Sequence, residues 1–107
     1  MTYQVTLTPQ AQTDLKEIFK YIAFDLQSVQ NAAGQLDRLE KAIASLEQMP
    51  ERFRVYDKPK WRKRNLRMMP VDHYLAFYIP DHDSGTVTVL RIMYGGWDID
   101  RQLKNME

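Results

Sequence analysis

The chain has 107 residues, 44% of them hydrophobic and 27% charged, which fits one globular domain and leaves no room for two full cores. Fifteen basic residues face 14 acidic ones for a net charge of +1, a near-balance that taken alone argues against a polyanionic partner. The absence of cysteine excludes disulfides, cysteine–zinc sites, iron–sulfur clusters and cysteine nucleophiles.

Tyr3, Val5 and Leu7 alternate with polar neighbours, the pattern of a strand with one buried face. Thr8-Pro9 reads as a helix N-cap followed by proline at the first helical position. Ala11, Leu15, Ile18, Phe19, Ile22 and Leu26 then form one stripe, with Asp14, Lys16, Glu17, Lys20 and Asp25 elsewhere. That predicts an amphipathic helix of about four to five turns. Ser28 caps a second helix whose seam is Val29, Ala32, Leu36, Leu39, Ile43 and Leu46, ended by Pro50. The short link makes the two helices an antiparallel hairpin, and Gly34 is expected to allow close approach to the first helix.

Residues 52–63 are basic and aromatic without a period and read as a loop leading into a strand. Leu66 and Met68 share one strand face with Arg67 opposite, and Pro70 interrupts or ends that strand. Tyr74 to Ile79 is apolar on both faces, as in a central strand. Asp81 to Gly85 is a turn, and Thr86 to Tyr94 is the clearest strand. Gly95-Gly96 breaks it, and Asp98 caps a short helix through about Lys104. The order predicts an α+β domain over residues 1–107, with two layers: a helical hairpin on an antiparallel sheet. No apolar run approaches the roughly 18 residues of a membrane span, and the N-terminus lacks signal-peptide layout, so a cytoplasmic location is expected.

Charge is unevenly placed. Arg52, Arg54, Lys58, Lys60, Arg62, Lys63, Arg64 and Arg67 face only Asp57 in one window, a net of +7. The rest of the chain holds 7 basic and 13 acidic residues, a net of −6. Lys60, Trp61, Arg62, Lys63, Arg64 and Arg67 are therefore candidates for binding nucleic acid or an acidic protein. Phe53, Tyr56 and Trp61 could stack on bases there, or pack the sheet edge beneath solvated cations. His73 and His82 have no metal-ligand spacing, and neither a metal nor a cofactor is expected. Arg91 lies mid-strand on the alternating face of Val87, Val89 and Met93; it either pairs with a helix acid such as Asp14 or Asp25 or recognises phosphate. Tyr94 could donate a hydrogen bond, shuttle a proton, or pack.

Three segments carry a family resemblance: Thr8-Pro9-Gln10-Ala11 through Tyr21-Ile22-Ala23, Tyr74 through Tyr78, and Val89-Leu90-Arg91-Ile92-Met93-Tyr94-Gly95-Gly96-Trp97-Asp98. The chain resembles the RelE/ParE superfamily of toxins from bacterial type II toxin–antitoxin (plasmid stabilisation) modules. The resemblance implies a β-α-α-β-β-β fold and a growth inhibitor neutralised by a cognate antitoxin in a hetero-oligomer. It also implies one of two targets, the ribosome and its mRNA for RelE-like members or DNA gyrase for ParE-like members. If the chain is a metal-independent endoribonuclease, the resemblance makes Arg64, Arg67, Arg91 and Tyr94 the catalytic candidates. Leu75 and Trp97 stand where RelE-like enzymes commonly carry arginines, which leans the resemblance toward ParE and gyrase.

Overall fold

The computed structural model describes residues 2–104, so Met1 and the last three residues of the expected domain lie outside it. Strand β1 (Gln4–Leu7) is followed by helix α1 (Pro9–Lys20), a π-helical turn (Tyr21–Asp25) and helix α2 (Val29–Ala44). Short 3-10 turns at Ser45–Glu47 and Pro50–Arg52 lead to a one-turn helix α3 (Pro59–Arg62). Then come β2 (Arg67–Val71), β3 (Tyr74–Asp81), β4 (Thr86–Tyr94) and helix α4 (Ile99–Lys104). The strands form one sheet in the order β1-β4-β3-β2.

The expected caps are in place. Thr8 Oγ1 accepts from the Ala11 N–H at 3.0 Å, with Pro9 at the first position of α1. Ser28 Oγ accepts from the Asn31 N–H at 3.4 Å, and Asp98 Oδ1 from the Arg101 N–H at 3.4 Å. β2, β3 and β4 are antiparallel, as their turns require, whereas β1 joins β4 in parallel. The reason is connectivity: returning to the same sheet in the same direction needs a crossover, and the helical hairpin supplies it. The hairpin packs on one face around Leu39, Ile43, Leu46, Tyr78 and Val89. The other face carries a second core of Trp61, Leu66, Phe77, Leu90, Met93 and Leu103, closed by α3 and α4.

Several local expectations change. Residues 52–63 are not loop throughout, because Pro50 and Pro59 each start a helical turn. The α1 stripe does not continue to Leu26, which is exposed along with Phe24. The π turn, closed by the Leu26 N–H on the Tyr21 carbonyl at 3.0 Å, takes an extra residue and shifts the helical phase. Val29 is exposed too. A Cβ on Gly34 would meet only the Arg38 side chain, at 3.4 Å, so that glycine serves no close approach to α1.

In β4 the register slips: Phe77 pairs with Arg91 but Tyr78 with Val89, leaving Leu90 as an extra residue. This bulge reverses the alternation, so Met93 joins Leu90 in the second core while Ile92 faces the hairpin. β1 ends opposite Val89. Beyond it, α1 completes the edge of β4. The Val89 carbonyl accepts from the Thr8 N–H at 3.0 Å and the Leu90 carbonyl from Thr8 Oγ1 at 2.9 Å. The Ile92 N–H donates to Asp14 Oδ2 at 2.9 Å. Arg91 bridges the same carboxylate through Nε (2.8 Å) and an η nitrogen (3.1 Å), and Gln10 adds a bond at 3.3 Å. Asp14 and Arg91 are each only 7% exposed.

Two outcomes follow. Asp14→Ala leaves a buried guanidinium without its counter-charge and a strand N–H without an acceptor, and should cost about 3–5 kcal/mol in urea unfolding. A loss under about 1 kcal/mol would show that water or another group replaces the carboxylate. Tyr78 donates to the buried Pro50 carbonyl at 2.5 Å, and burial pushes its hydroxyl up to about 12 from an ordinary 10. The folded protein therefore keeps a proton that the unfolded chain releases near pH 10. Stability should fall as pH rises from about 10 to about 12, and Tyr78→Phe should fall less steeply there in unfolding curves. Identical slopes in the two proteins would reject this.

Candidate functional site

The basic segment is partly neutralised from within. Arg52 lies 4.7 Å over the Phe53 ring, and its η nitrogens donate to the Ser45, Gln48 and Met49 carbonyls and to Ser45 Oγ. Arg67 donates to the Glu51 and Phe53 carbonyls at 2.9 and 2.7 Å and pairs with the Glu51 carboxylate at 3.5 Å. It thereby staples residues 51–53 to β2, on the hairpin side of the sheet. Arg62 pairs with Asp57 at 3.0 Å and Lys58 with Asp100 at 3.5 Å. Tyr56 donates a short hydrogen bond to Asp100, and burial first, then that carboxylate, holds its proton well above the ordinary tyrosine range. Trp61 is 4% exposed and belongs to the second core, so its ring is not available for bases. The Arg64 guanidinium carbon lies over its ring, 4.7 Å from the centroid. Lys60 and Lys63 are exposed.

A second surface was not foreseen from the sequence. Between the tip of the helical hairpin and the ends of β3 and β4 lies a groove of about 1430 Å³. Its rim carries Tyr21, Phe24 (65% exposed), Leu26, Tyr94 and Trp97. Tyr74 meets Tyr94 edge-on at 6.0 Å, and burial, with Tyr21 and Tyr94 nearby, raises the Tyr74 hydroxyl. A Cβ on Gly96 would come within 2.7 Å of the Tyr94 ring, so the glycine is what lets that ring lie over the turn. The β2–β3 turn is clamped to α2 by Asp72, which takes a left-handed backbone (φ 55°). It accepts from Arg38 at 2.7 Å and Gln35 at 3.0 Å. Those bonds hold its carboxyl below the usual range. The sequence signal for this groove is weak: aromatic residues off the buried stripe of α1, and the Gly-Gly-Trp run after β4.

The four catalytic candidates do not converge. Arg64 lies with Trp61 on the face opposite the hairpin, whereas Tyr94 rims the groove on the hairpin side. Arg67 pairs with Tyr78 and Tyr94 with Tyr74, which from strand geometry separates their backbones by roughly 16 Å. Arg91 is engaged by Asp14. Among the described residues no group of three or more His, Cys, Asp or Glu could hold a metal ion. None of the described helices is long and apolar enough to cross a membrane.

A family model described as the ParE toxin of the type II toxin–antitoxin system, parDE, matches residues 5–98. No curated protein matches the chain significantly in sequence. Solved structures are similar throughout. The chromosomal ParDE toxin–antitoxin system of Pseudomonas aeruginosa superposes with a TM-score of 0.71 at 15% identity, covering 87% of this chain and 96% of that one. The Mycobacterium tuberculosis RelBE2 toxin–antitoxin complex gives 0.62 at 20%, covering 88% and 99%. A mutant of the Escherichia coli RelE toxin in its free state gives 0.68 at 12%, covering all of both chains. At these identities the structural likenesses establish the α+β fold, helices on a four-stranded sheet, and they include ParE and RelE toxins alike. Because the family model spans nearly the whole chain, from β1 to the cap of α4, the chain belongs to the ParE toxin family of type II toxin–antitoxin systems.

Proposed function

We propose that this toxin arrests growth by acting on DNA gyrase in the cytoplasm, and that a cognate antitoxin restrains it by seating an apolar segment in the groove. The observation that supports gyrase over RNA cleavage is the dispersal of the candidate side chains. Cutting RNA through its 2′-hydroxyl needs a base, an acid and cations around one phosphodiester. Here Arg64 and Tyr94 lie on opposite faces, Arg91 is buried in an ion pair, and Arg67 is occupied by carbonyls and Glu51. A protein that inhibits by binding needs no such convergence. The second reading, a ribosome-dependent mRNA endonuclease, draws on the exposed Tyr94 and the likeness to RelE.

For the antitoxin, the support is the toxin–antitoxin assemblies among similar structures and the aromatic rim. Large exposed apolar side chains around a concave surface are what a partner's apolar segment covers.

Expression without antitoxin should stop growth, abolish supercoiling of plasmid DNA by purified gyrase mixed with the toxin, and leave mRNA 5′ ends unchanged in primer extension. New mRNA ends with normal supercoiling would replace the gyrase reading by the endonuclease one. Phe24→Asp combined with Leu26→Asp should weaken antitoxin binding at least 10-fold in calorimetry, about 1.4 kcal/mol or more, with little change in toxin stability. Unchanged affinity would place the antitoxin elsewhere.

A further inference from the structure

The two arginines stacked on aromatic rings are not equivalent. Both guanidinium groups lie 4.7 Å from a ring centroid, Arg52 over Phe53 and Arg64 over Trp61. Arg52 has its N–H groups taken up by three carbonyls and a hydroxyl, which close the end of the hairpin. Arg64 has no such acceptors among the described residues. Stacking engages the face of a guanidinium and leaves its N–H donors pointing outward in the plane. The surface beneath it is rigid, because Trp61 is almost wholly buried and packed with Leu66, Phe77, Leu90, Met93 and Leu103. Arg64 is thus an exposed arginine seated over a buried ring, with its N–H groups unclaimed by carbonyls among the described residues, and exposed Lys63 is its chain neighbour.

The surroundings set the sign and the kind of ligand. On the α3 side of the sheet, Lys58, Lys60, Arg62, Lys63 and Arg64 set against Asp57 and Asp100 leave this surface a net of +3. The remainder of the chain is acidic, so the molecule carries a charge asymmetry that turns this face toward a polyanion. Single-stranded RNA is recognised by aromatic platforms for its unstacked bases as well as by cations. On this face Trp61 is buried and Tyr56 is partly covered, whereas the exposed aromatic side chains rim the groove on the other side of the sheet. Cations without a stacking platform suit a sugar–phosphate backbone whose bases are already paired.

We infer that Lys63 and Arg64, in the turn that follows α3, form a contact site for the phosphate backbone of duplex DNA. The choice of DNA rests on the gyrase reading, since gyrase works on a duplex and an inhibitor of that complex lies within reach of it. The site would add affinity for the DNA-loaded enzyme without reading sequence.

The test uses the purified toxin and a fluorescent 20-base-pair duplex, with no gyrase present. Failure here therefore leaves the gyrase assay unaffected, and failure there leaves this one unaffected. Anisotropy should rise with toxin at 50 mM salt, and affinity should fall at least about 10-fold at 200 mM, as release of two or three counterions requires. Lys63→Glu with Arg64→Glu should weaken binding at least 10-fold and flatten the salt slope by about 2. Lys16→Glu, on α1 across the sheet, should change it less than twofold. If the charge-reversed pair loses its native circular dichroism, Lys63→Gln with Arg64→Gln gives the same reading with a smaller change. The proposal is overturned by no binding at 50 mM salt or by an unaltered affinity in the double variant. Tighter binding to single-stranded RNA of equal length, or to a glutamate-rich peptide, overturns it as well.

Discussion

The carboxylate of Asp14 is the constraint on which the arrangement of this molecule depends. β1 is four residues long and β4 nine, so a parallel pair of such unequal strands leaves part of β4 with an open edge. An unpaired strand edge inside a domain costs free energy for each backbone group left without a partner. The chain meets this by entering α1 at once through Thr8-Pro9, so that the first turns of the helix lie where β1 would have continued. Asp14 then accepts from the Ile92 N–H, from both sides of the Arg91 guanidinium and from Gln10, which uses the carboxylate's full accepting capacity. One residue thereby ties α1 to the strand just beyond the bulge and supplies the counter-charge for buried Arg91.

Much of this was legible from local chemistry. Thr8-Pro9, Ser28 and Asp98 mark helix starts because a side-chain oxygen one turn ahead of an orphan N–H does the same thing in any context. Tyr74 to Ile79 reads as central because both its faces are apolar, and Asp14 is one of the two acids that the helix offers to Arg91. What could not be read are the places where one residue alters the count. The extra Leu90 in β4 exchanges the faces of Ile92 and Met93, and the π turn at Tyr21–Asp25 takes Leu26 off the buried stripe of α1. Periodicity assumes a constant step, so a single insertion defeats it without leaving a compositional trace. The parallel placement of β1 and the aromatic groove depend on contacts between elements distant in sequence, which no window contains.

The sheet acts as a partition. On one side, the helical hairpin and the strand ends frame an aromatic groove; on the other, α3 and α4 cover an apolar core with cations on the outside. Charge and aromaticity, interleaved along the chain at residues 52–67, are separated in space because Trp61 turns inward while its neighbours stay out. An amphipathic segment of this kind looks like a base-stacking platform when written as a string. Folded, it is a short basic helix pinned by its tryptophan, with Asp57 and Asp100 trimming its charge.

The π turn at the tip of the hairpin has a consequence for the surface displayed there. Each residue added to or removed from a helix rotates everything beyond it by about 100°. Leu26 faces outward beside Phe24 because of a widened turn, not because of its own identity. Two toxins could therefore share these side chains and still display different surfaces, if one closed the same stretch as regular α-helix. With the antitoxin seated in this groove as proposed, its recognition becomes a matter of backbone phase, changed by a single-codon insertion or deletion that leaves the composition of the rim intact.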